Sequence, residues 1–217
     1  CRIAGRTAEN RVIVTAHMDE IGLMVKRIED GGILRVARVG GAWPYKYGEG
    51  PVDILGDYGT ATGVLSTGSS HITKESKDAW AARNDKPLDW DMVWVETKMT
   101  REQLAEKGIH TGTKLVVGKA RKTPVLMGDY IGAYGLDCKG GVVALFMLAE
   151  RLKRTPPAHD VVLAATREEE IGCVGALYVA HHVPAETMIA LEIGVTGEEF
   201  GVANTAEPII YYSGGTM

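Results

Sequence analysis

The chain has 217 residues and a net charge of −4, with 45% hydrophobic and 24% charged side chains. That balance is typical of a globular protein with room for one large domain or two smaller ones. It gives no reason to expect nucleic acid or an anionic membrane surface as a partner. No apolar run approaches the roughly 18–20 residues that cross a bilayer, and the longest is Val142 to Ala149.

In chain order, Arg11 to Thr15 reads as a strand that runs into His17-Met18-Asp19-Glu20. Residues 26–125 then have a grammar of their own. Short alternating runs ("ILRVARV", "TATGVL", "TKLVVG") are separated by Gly-rich turns, with one amphipathic stretch, Thr100 to Lys107, opened by a Thr cap. This pattern predicts a small β-rich domain. From 126 onward strand and helix signals alternate. "GLDCKGGVVALFMLAERLKR" places Leu145, Leu148, Ala149 and Leu152 at helical spacing, carries Lys153 and Arg154 at its end, and is stopped by Pro156-Pro157. "HDVVLAAT" reads as a buried strand, "GALYVAHHV" as a short helix and "TMIALEIG" as a second buried strand.

The predicted fold is therefore α/β, with a mixed, largely parallel sheet and flanking helices. It is built from residues 1–25 and 126–217, with 26–125 inserted as the β-rich domain. The chain opens without an initiator Met and stops just after another apolar run, so it reads as a piece of a longer protein. No secretory leader pattern opens it. Cys1, Cys138 and Cys173 form no CxxC pair and leave an odd thiol. That usage predicts a reducing, cytoplasmic setting.

Each predicted strand end or strand–helix junction of the flanks carries acidic residues or histidine: His17 and Asp19, then Asp137, then Glu168-Glu169-Glu170, then Glu192. In open α/β sheets, sites form outside the carboxyl ends of the strands. Five carboxylates (Asp19, Asp137, Glu169, Glu170, Glu192) at one rim repel one another and resist desolvation. Arg167 and Lys139 are few cations to set against them, whereas two divalent cations would supply four positive charges. A His/carboxylate donor set suits zinc, cobalt or manganese. His71, His110, His159, His181 and His182 read as surface or structural, and Cys138 and Cys173 as buried or half-buried thiols. No G-x-S-x-G elbow, P-loop or G-x-G-x-x-G turn appears.

"AHMDEIGLMV", "YGLDCKGG", "TREEEIGCVGA" and "MIALEIG", in this order, resemble the tetrahedral aminopeptidase family of dinuclear metallopeptidases. Glutamyl and deblocking aminopeptidases belong to it, and some members carry the name endoglucanase. "VGGAWPYKYGEGPVDI", the His71 loop and "EKGIHTGTKLVVG" are similar to that family's inserted domain, so the likeness runs over essentially the whole chain.

The resemblance implies two divalent metal ions, with Zn2+ first and Co2+ or Mn2+ as alternatives. It implies His17 and Glu192 as ligands of one metal, Asp137 as the bridge and Glu170 as a ligand of the other. Glu169 would be the general base on a metal-bridging water, and Asp19 would fix the tautomer of His17 from behind. The implied activity is removal of N-terminal residues from peptides with a free N-terminus, by a homo-oligomer in which dimers assemble into a tetrahedral dodecamer.

This chain departs from the family pattern in two places. Glu192 stands where Asp is usual, and Asp137-Cys138-Lys139 stands where Asp-Asp-Arg is usual. The family's second metal-binding His would lie beyond Met217. Two other readings compete with the aminopeptidase: a non-catalytic relative kept for assembly or peptide binding, and a metal-dependent deacylase or carboxypeptidase-type hydrolase. The presence of Glu169 beside the other site residues favours the aminopeptidase.

Overall fold

A computed structural model describes residues 1–194, so the end of the 126–217 segment, residues 195–217, lies outside the described residues. The chain divides into two compact units. Of the described residues, one unit comprises 1–18, 136–169 and 174–194, and the other 19–135 and 170–173.

The first unit opens with β1 (Arg2–Ile3) and β2 (Thr7–His17). Five successive residues of β2, Ile13 to His17, are buried, the continuous burial of a strand covered on both faces. The strand is longer than the Arg11–Thr15 run that hydropathy marks, because its first residues are polar and exposed.

The second unit begins with β3 (Gly22–Ile28), β4 (Ile33–Val39), α1 (Pro44–Tyr47), β5 (Gly50–Leu55) and β6 (Thr60–Ser66). It continues with α2 (Lys77–Asn84), β7 (Trp94–Glu96), α3 (Arg101–Glu106) and β8 (Lys114–Val117). The strands close into a barrel in the order β3-β4-β7-β6-β5-β8, antiparallel at every pairing. Alternate residues point inward, so Leu23 and Val25, Leu34 and Val36, Val52 and Ile54, and Leu115 and Val117 fill the lumen. Each such side chain contributes about 1.5–3 kcal/mol by leaving water. Tyr47 packs edge-on to Trp90 at 5.9 Å, and Trp90 Nε1 donates to the Ala42 carbonyl at 2.9 Å.

The Thr cap expected at Thr100 is present, as a capping box whose reciprocal partner is Gln103. Helix α2 was not marked by the sequence pattern, and none of its residues is buried, so no apolar stripe announces it. The barrel unit also starts earlier and ends later than the 26–125 segment. Gly22–Val25 pair with β4 and β8, and the hairpin of β9 (Val125–Met127) and β10 (Tyr130–Gly132) follows β8. That hairpin turns on Gly128-Asp129, where Gly128 has a φ of 63°, a left-handed conformation that glycine adopts without strain.

The chain then returns to the first unit with α4 (Leu136–Arg154), β11 (His159–Thr166), α5 (Val174–His182) and β12 (Thr187–Ala190). The sheet order is β1-β11-β2-β12, with β11 and β12 parallel to β2 and β1 antiparallel to β11. Helix α4 packs across β2 and β11, and Leu145 joins Val14, Ala16, Val161 and Leu163 in the core, flanked by Leu148, Ala149 and Leu152. A Cβ on Gly141 would meet Cys138 Sγ at 2.5 Å and Ala16 Cβ at 3.1 Å, so glycine is what lets the helix approach the strand. Asp160, buried, accepts from Arg2 Nε and from the Gly5 backbone N–H, both at 3.0 Å, which ties β1 to β11.

One expectation is corrected. Strand β12 is exposed along its whole length rather than buried, because among the described residues it pairs on one side only, with β2.

Candidate metal centre

The parallel pairing of β11 and β12 with β2 brings three carboxyl-terminal strand ends to one edge. Thr166 lies opposite His17, and Ala190 lies opposite Thr15. Beyond these ends the chain carries Glu169 and Glu192. The fourth contribution, Asp137, comes from the first turn of α4. Its φ/ψ of −79°/114° is extended, and its peptide to Cys138 is cis.

These elements converge on one imidazole. His17 is 3% exposed. Its Nε2 lies 3.0 Å from Asp137 Oδ1, 3.5 Å from Glu192 Oε2 and 3.8 Å from Glu169 Oε2. The carboxylates themselves are partly open to solvent, at 60%, 47% and 34% side-chain exposure for Asp137, Glu192 and Glu169. A buried nitrogen donor thus stands at the base of a solvent-accessible ring of oxygens. Burial pulls the His17 pKa down, but the charges of Glu192 and Glu169 and the hydrogen bond that the ring donates to Asp137 outweigh it, and the net shift is upward. An imidazole drawn toward its cationic form by surrounding carboxylates marks a place where positive charge is stabilised. The donor set, one imidazole nitrogen and several carboxylate oxygens, fits a divalent cation of the zinc, cobalt or manganese class.

The segment that carries Glu169 is shaped locally. Glu168 has φ 61°, the left-handed region that non-glycine residues seldom enter. The first backbone N–H groups of α5 close the loop, with Val174 donating to the Glu168 carbonyl and Gly175 to the Arg167 carbonyl, both at 3.0 Å.

Asp19 and Glu170 directly follow Met18 and Glu169 in the chain but belong to the second unit, where the Glu170 backbone N–H donates to Asp19 Oδ2 at 3.3 Å. The structure therefore brings together His17, Asp137, Glu169 and Glu192 in one unit and Asp19 with Glu170 in the other. Of the residues set aside from sequence, His71 and His110 are exposed, and His110 Nε2 pairs with Asp57 at 3.1 Å. Cys138 is the residue that sequence reasoning underrated. Its Sγ, a ring nitrogen of His17 and a carboxylate oxygen of Glu192 all lie within 4.8 Å of one another. Its position immediately after Asp137 was the available signal.

Among the described residues no helix is long and apolar enough to cross a membrane. Comparison with known proteins gives a consistent set of relatives. A putative aminopeptidase, SgcX, of Escherichia coli is 28% identical over 184 residues, covering 84% of this chain and 47% of the relative. Lysyl aminopeptidase of Pyrococcus furiosus is 29% identical over 185 residues, covering 84% of this chain and 51% of the relative. The chain thus spans about half the length of the curated relatives it matches. Among solved structures, an aminopeptidase of Desulfurococcus kamchatkensis superposes with a TM-score of 0.78 at 25% identity, covering 94% of this chain and 53% of that one. The TET1 peptidase of Pyrococcus horikoshii, described as assembling into a tetrahedron or a large octahedral shell, gives 0.74 at 27% identity over 88% of this chain and 55% of its own. The sequence profile that matches spans residues 1–217 without remainder, and the chain belongs to the M42 glutamyl aminopeptidase family.

Proposed function

We propose that this chain is part of a metal-dependent aminopeptidase that removes N-terminal residues from peptides with a free N-terminus. The observation that carries this reading is the convergence of Asp137, Glu192 and Glu169 within 3.0–3.8 Å of the buried His17 Nε2. Membership of the M42 family and the aminopeptidase relatives support it.

In this reading His17 and Glu192 would hold one divalent cation and Glu170 a second, with Asp137 as a further ligand. Zinc is the first choice, with cobalt or manganese as alternatives. Asp19 supports His17 from outside the ligand set. When bound, the cations supply Lewis acidity toward the scissile carbonyl and acidify water. Glu169 takes a proton from the attacking water and returns it to the amine that leaves as the C–N bond breaks. Its partial exposure beside His17 gives it access to both solvent and substrate.

The first unit, residues 1–18 with 136–169 and onward, would be the catalytic domain, and the barrel unit an inserted domain through which dimers form. Assembly of dimers into a tetrahedral dodecamer is supported by the tetrahedral assembly described for the Pyrococcus horikoshii peptidase. The odd number of cysteines in the chain, with no CxxC pair among them, supports a cytoplasmic location.

The test is hydrolysis of unblocked aminoacyl substrates by the full protein. The reading requires that a chelator abolish turnover and that zinc or cobalt restore it. Turnover indifferent to chelation, or confined to N-acylated substrates, overturns it.

A further inference from the structure

We infer that Cys138 is a thiolate ligand in this centre, so that His17, Cys138 and Glu192 together form a site selective for a thiophilic divalent cation. The inference rests on the reading of His17 and Glu192 as ligands and adds a donor that neither the sequence motifs nor the family relationship assigns.

The geometry has three parts. The Cys138 side chain is fully buried, and its Sγ donates to the Leu191 carbonyl at 3.1 Å, which places it against the peptide unit that leads into Glu192. Its Sγ, a His17 ring nitrogen and a Glu192 carboxylate oxygen lie within 4.8 Å of one another. Finally, Gly141 leaves the volume beside Sγ open, since a Cβ there would stand 2.5 Å from it. A cation with a Zn–N distance of about 2.1 Å and a Zn–S distance of about 2.3 Å draws its donors to roughly 3.5 Å of one another. His17 Nε2 and Glu192 Oε2 already stand 3.5 Å apart, so any remaining contraction falls on the distances to Cys138 Sγ.

The chemistry then differs from that of an all-nitrogen and oxygen shell. Thiolate selects zinc, cobalt or cadmium and disfavours magnesium and manganese. On ligation the Sγ–H proton passes to buffer, the hydrogen bond to Leu191 is given up, and a sulfur–metal bond replaces it. No oxidant or reductant takes part.

The experiment titrates cobalt(II) into the full chain with Cys1→Ser and Cys173→Ser, so that Cys138 is the remaining thiol. The expected result is a near-ultraviolet thiolate-to-cobalt charge-transfer band that grows together with the visible d–d bands. In the further variant Cys138→Ser the charge-transfer band is lost and cobalt affinity falls by about 10–100-fold. Visible d–d bands with no charge-transfer band, or a band that survives Cys138→Ser, overturn the assignment of Cys138 while leaving the His17 centre standing. Failure of the folded chain to take up cobalt overturns both. Should Cys138→Ser not fold, X-ray absorption of the zinc-loaded parent decides: a sulfur shell at about 2.3 Å is required, and a shell of nitrogen and oxygen alone overturns the assignment.

Discussion

His17 Nε2 and Asp137 Oδ1 meet at 3.0 Å although they stand 120 positions apart, with residues 19–135 of the barrel unit between them in the chain. The pair ties the end of β2 to the first turn of α4, and the oxygens of Glu192 and Glu169 complete the ring around it.

Glu169→Gln keeps the size of the side chain and removes its capacity to take a proton. The expected loss of turnover is about 10²–10⁴-fold, with metal content close to that of the parent. Parallel kinetics on unblocked aminoacyl substrates and elemental analysis check it, and undiminished turnover would remove Glu169 from its assigned role.

In the metal-free protein His17 and Asp160 act on stability with opposite signs. The folded-state pKa of His17 lies above its ordinary value of 6.5, so its contribution is full below that value and is lost as pH rises through the folded-state pKa. The Asp160 carboxyl is held below its ordinary value of 3.8 by the Gly5 N–H and by Arg2. Its contribution is present above that value and is lost as pH falls through the folded-state pKa. Melting curves of the metal-free chain should therefore fall off on the acid side through Asp160. His17→Gln should remove a decline seen on the neutral side of 6.5. Added zinc reverses that neutral trend, because it binds the unprotonated imidazole.

Gly175→Ala should destabilise by about 1–3 kcal/mol through overpacking, because its Cβ would fall on the Arg167 backbone carbonyl. The strain lands on the segment that presents Glu169, so turnover should decline more than substrate affinity. A thermal melt paired with separate kcat and KM values tests both halves.

Leu34 is fully buried inside the barrel. Leu34→Ala should cost about 2–5 kcal/mol on urea unfolding. Cobalt uptake at His17 should not change, since that residue belongs to the other compact unit. A coupled loss of cobalt affinity in the folded variant would show the two units to be energetically linked.

Much of the architecture was legible because its signals are local. The spacing of Leu145, Leu148 and Leu152 marks one helix face, and the apolar run within "HDVVLAAT" marks a strand that is buried or half-buried at every residue but Ala165. Where the signal was absent the reading went astray. Helix α2 buries nothing and so leaves no stripe to find, and Gly22–Val25 look like a continuation of the His17 segment until they pair with β4 and β8. The apolar run at Thr187–Ala190 reads as buried, yet apolar character cannot say whether a strand has a neighbour on each side.

The order of residue types along the chain was enough to nominate His17, Asp137, Glu169, Glu170 and Glu192 as a charge problem that cations would solve, because like charges at one rim repel whatever the details. Only the tertiary structure brings Asp137, Glu169 and Glu192 within 3.0–3.8 Å of the His17 imidazole. Parallel register sets His17 beside the exits of β11 and β12, whereas Asp19 and Glu170 close on each other within the barrel unit. It also decided the place of Cys138. A thiol that reads from sequence as buried becomes a neighbour of two donors, because the first turn of α4 sets its Sγ 3.1 Å from the Leu191 carbonyl at the exit of β12. Such proximity depends on packing distance, which residue order does not encode locally.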